Sequence, residues 1–117
     1  MSGETSYIWM NFMVFARMST WRFKLGKREE AFLILDNILN TLTRQSEGFR
    51  GYMSLLSHED PNKAVVLTLW LDEEALEASE KGVFADAAKK IQSSLEGSPS
   101  IENFRVFSTE LFQRSKE

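Results

Sequence analysis

The run Tyr7–Met18, YIWMNFMVFARM, constrains the fold more than any other part of the chain. It is dense in aromatic and β-favouring side chains, and its even positions, Ile8, Met10, Phe12, Val14, Ala16 and Met18, are all apolar. Alternation of period two is the signature of a strand with one buried face. The odd positions, Trp9, Asn11, Met13, Phe15 and Arg17, are mixed but still carry large apolar groups. A strand with that much apolar surface on both faces has to be covered on both, by another layer of its own chain or by a partner.

The rest of the chain supplies the first of those layers. After a connector at Ser19–Gly26, Phe32, Leu35, Ile38, Leu39 and Leu42 recur at helical spacing opposite Arg28, Glu29, Asp36 and Arg44, which predicts a helix over Lys27–Gln45. Ser46-Glu47-Gly48 ends it, with Gly48 as the residue just past the cap. Phe49–Ser57 and Ala64–Leu71 (AVVLTLWL) read as strands joined by the turn-rich loop His58–Lys63. Asp72 suits the N-cap of a short helix ending near Gly82. A further helical stretch, Val83–Glu96, places Phe84, Ala88, Ile91 and Leu95 on one stripe before Gly97-Ser98-Pro99 stops it. Glu102–Phe112 then alternates into a fourth strand.

The resulting order, β-α-β-β-α-β, is that of the ferredoxin-like α+β class, a four-stranded antiparallel sheet with helices on one face. Such a sheet leaves its other face bare. Apolar surface of that extent implies a homodimer that closes two sheets face to face.

Composition narrows the chemistry. The 117 residues make one domain. With no cysteine, disulfide scaffolds, thiol nucleophiles, iron–sulfur clusters and cysteine-ligated zinc are excluded. The single histidine, His58, lies in a polar loop and excludes zinc sites built on several imidazoles. A net charge of −3 argues against a nucleic-acid partner. No stretch approaches the roughly 18–20 apolar residues of a membrane span, and the start lacks a basic leader region, so a cytoplasmic protein without membrane association is expected. Met10 is a second candidate start. The acidic clusters Glu29-Glu30, Glu59-Asp60 and Asp72-Glu73-Glu74 are adjacent in sequence and read as solvated faces, not as metal sites.

Three phrases, Gly48-Phe-Arg-Gly-Tyr52, Val66-Leu-Thr-Leu-Trp70 with Glu74-Ala75 behind it, and Phe104-Arg-Val-Phe107, resemble the antibiotic biosynthesis monooxygenase superfamily in their order and spacing. The resemblance implies a dimeric α+β barrel. It covers residues 10–112, leaving 1–9 as an N-terminal extension and 113–117 as a polar tail. Met10-Asn-Phe-Met13, Val83-Phe84 with Ala87, and Gly97-Ser-Pro99 are similar to the haem-degrading branch, the Isd-type monooxygenases. For that branch the resemblance implies an Asn late in the first strand, a Trp on the helix after the third strand and an iron-ligating His on the next helix. The matching positions here are Ala16, Ala78 and Ala88. A methyl group cannot ligate iron.

The favoured reading is a monooxygenase-like protein that binds a small hydrophobic or aromatic substrate without metal or flavin, the deprotonated substrate supplying the electrons. Its pocket is expected between sheet and helices at Phe12, Ala16, Trp70, Ala78, Phe84 and Ala88, with no catalytic residue assigned. The alternatives are a haem-binding or haem-degrading Isd-like protein without the usual Asn/Trp/His set, and a non-catalytic dimer that binds a small ligand. Arg17, on the odd face of the first strand, reads as a dimer-interface residue.

Overall fold

Four strands form one antiparallel sheet in the computed structural model, which describes residues 14–110. They are β1 (Phe15–Arg22), β2 (Phe49–Leu56), β3 (Lys63–Trp70) and β4 (Ser100–Arg105), in the order β2-β3-β1-β4. Helix α1 (Arg28–Gln45) connects β1 to β2. Between β3 and β4 run α2 (Glu73–Ser79), a π-helical turn (Glu80–Phe84), α3 (Ala85–Lys90) and a 3-10 turn (Gln92–Ser94). This is the ferredoxin-like βαββαβ arrangement that the sequence predicts. Among the described residues no helix is long and apolar enough to cross a membrane.

Helix α1 forms where its apolar stripe lies. Ala31, Phe32, Leu35 and Leu39 are buried, and Ile38 and Leu42 pack against the same core. Glu29 and Glu30 in its first turn and Arg44 in its last complement the helix dipole. No side chain caps the N-terminus. Instead Arg28 Nη1 donates to the carbonyls of Ser57, Asp60 and Lys63, each at 3.1 Å, and ties α1 to the β2–β3 hairpin. That loop is shaped by its own side chains: Ser57 Oγ accepts from Asp60 N and Asp60 Oδ1 from Asn62 N. At α2 the expected cap is present, with Asp72 Oδ1 accepting from Ala75 N at 2.8 Å.

Several elements differ from the sequence reading. The Ser19–Gly26 connector is strand as far as Arg22, because Ser19 and Thr20 pair with both β3 and β4. The earlier part of the predicted first strand, residues 7–13, lies outside the described residues. The facing of the strand is also reversed. Arg17, Ser19 and Trp21 turn toward the helices, and Ala16, Met18 and Thr20 turn to the open face. Alternation alone could not fix this, since both faces carry apolar groups; burying the large rings of Trp21 and Phe23 decides it. Gly82 does not break the second helical region, because the π-helical turn carries the chain past it. That region stops at Lys90 and not at Glu96, and β4 is shorter than predicted, ending at Arg105.

Gly48 is needed for a reason other than the left-handed one predicted. The helix ends at Ser46 in extended backbone, and Gly48 is not among the positive-φ glycines. What Gly48 permits is close approach: a Cβ there would lie 2.5 Å from Ala75 Cβ, while its carbonyl accepts from Leu71 N at 2.7 Å. The start of β2 and the start of α2 thus touch backbone to side chain. Gly48→Ala should lower stability by about 1–3 kcal/mol through overpacking. A urea midpoint equal to that of the wild type would show that the contact can relax.

Candidate functional site

A cavity of about 40 Å³ lies between the sheet and α1. Its floor is Arg17, Ser19 and Trp21 of β1 with Val66, Thr68 and Trp70 of β3. Leu35, Ile38, Leu39 and Leu42 of α1 roof it. Ser79 ends α2 beside it, and Val83, Phe84 and Ala87 close it from the π-helical turn and α3. A water molecule needs roughly 10–15 Å³ of such space, so the cavity has room for a few waters and not for an aromatic ring.

The floor follows a repeated local rule. Trp21 Nε1 donates to Ser19 Oγ at 2.8 Å, and Trp70 Nε1 donates to Thr68 Oγ1 at 2.9 Å. In each strand a hydroxyl two residues earlier shares the face with the indole and satisfies its N–H. The two indoles can therefore be buried without an orphaned donor, one toward each end of the β1–β3 ladder. Phe84 leans on Trp21 with ring centroids 5.5 Å apart, and Phe49 packs on Trp70 at 4.9 Å.

Arg17 is the one ionisable side chain in the described lining. Its residue is 2% exposed. Nε donates to Asn103 Oδ1 of β4 at 3.0 Å, Nη1 to Ser79 Oγ at 2.7 Å and Nη2 to the Leu76 carbonyl at 2.9 Å. Glu80 Oε1 lies 3.6 Å from Nη2, but that side chain is half-exposed. The guanidinium also stands over the Phe84 ring, 5.7 Å from its centroid. Burial pulls the Arg17 pKa below its ordinary value and Glu80 pushes back. The group keeps its charge all the same, since a guanidinium does not deprotonate in proteins.

The residues expected at the pocket do not all meet. Trp70 and Phe84 line the cavity. Ala16 is buried on the opposite face of β1, between Leu69 and Phe104. Ala78 is exposed and borders an outer groove with Gly48 and Asp72. Ala88 is half-buried and borders a second groove with Gly97 and Pro99, while its neighbour Ala87 faces the cavity. Phe12 lies outside the described residues. Arg17, expected at a dimer interface, instead faces the helices. Trp21, Ser79 and Asn103 were missed; the hydroxyl–x–Trp spacing shared by Ser19/Trp21 and Thr68/Trp70 was the available signal for the first. His58 is exposed in its loop. No cluster of three metal-ligating side chains occurs among the described residues.

The family model for antibiotic biosynthesis monooxygenase matches residues 14–93. Among curated proteins none matches the chain. A Nitrosomonas europaea protein of unknown function superposes with TM-score 0.73 at 20% identity, covering 89% of this chain and 99% of that one. A conserved Methanosarcina mazei protein gives TM-score 0.71 at 18% identity over 84% and 97% of the two chains. SnoaB, a cofactor-independent oxygenase from Streptomyces nogalater, gives 0.68 at 16% identity over 82% and 95%. At these identities the likenesses show the fold.

A buried charge is weak evidence of stabilisation, because an apolar side chain of similar length is often as stable or more so. Arg17→Met should therefore leave the unfolding free energy unchanged or raised, with Glu80 hydrated and Ser79 Oγ still donating to Leu76 O. Arg17→Glu, which buries a carboxylate beside Glu80, should cost about 3–5 kcal/mol. Chemical denaturation of both variants checks this. A large loss in Arg17→Met would make the guanidinium a structural tie.

Proposed function

The chain belongs to the antibiotic biosynthesis monooxygenase family, and from that premise we propose that it is a monooxygenase-like enzyme whose cavity, enlarged by displacement of a wall side chain, takes a small hydrophobic aromatic substrate without metal or flavin. The observation that carries this reading is the cavity wall. It is built of two indoles, Phe84 and the aliphatic face of α1, with no carboxylate, imidazole or thiol in the described lining. Such a wall recognises an apolar ring; its hydroxyls, on Ser19, Thr68 and Ser79, have no base beside them in the described lining. The substrate therefore has to bring its own reactivity. A deprotonated, electron-rich ring can give electrons to dioxygen: a ring methylene plus one dioxygen yields a ring carbonyl and one water. One of the similar structures is that of a cofactor-independent oxygenase, which supports this class of reaction.

Haem is the group that the haem-degrading branch would bring. The residues here do not fit it. Protein axial ligands to haem iron are His, Cys, Met or Tyr, and none of these is in the described lining. The alanine matching the iron-ligand position, Ala88, borders a groove outside the cavity.

The reading includes a homodimer. Met53 (47% exposed), Leu55 (43%) and Phe104 (42%) share the open face of the sheet with half-buried Val65, Leu67 and Leu69. An apolar sheet face of this kind is a self-complementary surface across a two-fold axis. Light scattering should give twice the 13.5 kDa chain mass, and Leu67→Glu should give the monomer. A wild-type monomer would overturn the assembly.

Activity is tested with a panel of small phenols whose keto tautomers carry a ring methylene, under isotopically labelled dioxygen. One labelled atom should enter the product per dioxygen consumed, with the rate unchanged by a chelator. Tight binding without oxygen uptake across the panel would leave a binding protein.

A further inference from the structure

Resting on that reading, we propose that the cavity is an anion-selective aromatic site, in which the Arg17 guanidinium takes the oxyanion of a planar conjugated ligand. The inference starts from donor counting. A guanidinium carries five N–H groups. Three are used, on Asn103, Ser79 and the Leu76 carbonyl. The remaining two, one on each Nη, have no acceptor within hydrogen-bond distance among the described residues. Glu80 at 3.6 Å is an ion pair too long to count as a hydrogen bond, and its half-exposed carboxylate is shared with solvent. The cavity lining thus includes a fixed positive charge with N–H groups to spare, in a space that admits only a few waters.

The second part of the argument is the Phe84 ring. It sits where a ligand ring would gain most: against the Trp21 indole at 5.5 Å and under the Arg17 guanidinium at 5.7 Å. It is carried by the π-helical turn, and irregular turns of this kind recur at functional positions in helices. Phe84 is only partly buried. Swinging it outward supplies the space that the 40 Å³ cavity lacks and leaves an aromatic-shaped slot with a cation above it. An engineered site that binds benzene needs about 150 Å³, which a displaced phenylalanine ring supplies in large part.

Both halves point to one ligand chemistry, a flat apolar body bearing an oxygen anion. A phenolate or enolate carries that anion on the ring, and an aryl carboxylate carries it one atom away. Binding the anion also does what the walls cannot. With no base in the described lining, Arg17 favours the ionised form of the ligand and the proton leaves to solvent.

The test compares para-nitrophenolate, para-nitrobenzoate and the neutral para-nitroanisole on the full chain, at a pH where the first two are ionised. The phenolate should bind about tenfold or more tighter than the ether, the gain expected from a charge-assisted hydrogen bond in a closed site. A benzoate as tight as the phenolate places the anion one atom out; a weaker one places it on the ring. Arg17→Met should abolish the preference while the ether still binds. Glu80→Gln leaves Arg17 in place and removes its competing carboxylate, so it should tighten phenolate severalfold and leave the ether unchanged. Equal affinity for phenolate and ether in the wild type overturns the anion site but leaves the aromatic pocket standing. Binding of none of the three overturns both.

Discussion

A guanidinium held out of water between β1, β4 and α2 organises the cavity side of this fold. Moving an isolated cation into a protein interior costs several kcal/mol, so such a group persists only where partners surround it. Arg17 has three such partners on two elements: Asn103 on β4, and Ser79 and the Leu76 carbonyl on α2. Because β1 lies between β3 and β4, the charge is placed at the middle of the sheet. Its hydrogen bonds join α2 to β1, and Glu80, the first residue of the π-helical turn, lies 3.6 Å from Nη2. Val83 and Phe84 on that turn line the cavity, with the guanidinium 5.7 Å from the Phe84 ring centroid.

The same central strands serve two surfaces. On β1 the odd residues build the cavity floor and the even ones the open face, and β3 divides in register with it: Thr68 opposite Arg17, Leu67 opposite Met18. A change on one face leaves the other nearly untouched, since successive side chains point apart. The cavity lining and the open face can thus vary independently, although one backbone supports both. The hydroxyls of Ser19 and Thr68 belong to this economy. They satisfy the indoles within their own strand and ask nothing of α1, whose roof can stay wholly aliphatic.

Much of this was legible in the sequence, and the failures have physical causes. The stripe Phe32, Leu35, Leu39 could only be a helix face, and the Asp72 cap lay where the apolar run of β3 stopped. The facing of β1 was not legible. Residues 8–18 alternate acceptably on either parity, and the deciding bulk, Trp21 and Phe23, sits in a stretch whose Ser and Thr resemble a connector. The charge at Arg17 pointed outward by ordinary expectation, since an arginine is rarely buried unless paired. Its partners Ser79 and Asn103 are 62 and 86 positions away, and no local pattern announces them. The π-helical turn was hidden for the same reason: Gly82 is a helix breaker locally and is carried through only because the segments on either side pack on the sheet.

The three alanines at positions 16, 78 and 88 suggested a hollow where ligating and shaping side chains would otherwise converge. They lie instead at three separate places, and the space that exists is governed by Phe84. Capacity and polarity are then set by different parts of the molecule. Polarity belongs to Arg17, fixed on a central strand by hydrogen bonds to two other elements. Capacity belongs to one partly buried ring on an irregular turn, where a Cβ added at Gly82 would meet nothing within 4 Å. Dense packing resists gradual enlargement, so volume is gained by displacing a whole side chain from the weakest wall. A site with a rigid charge and one yielding wall discriminates first by where a ligand carries its negative oxygen, and only afterwards by how large the ring is.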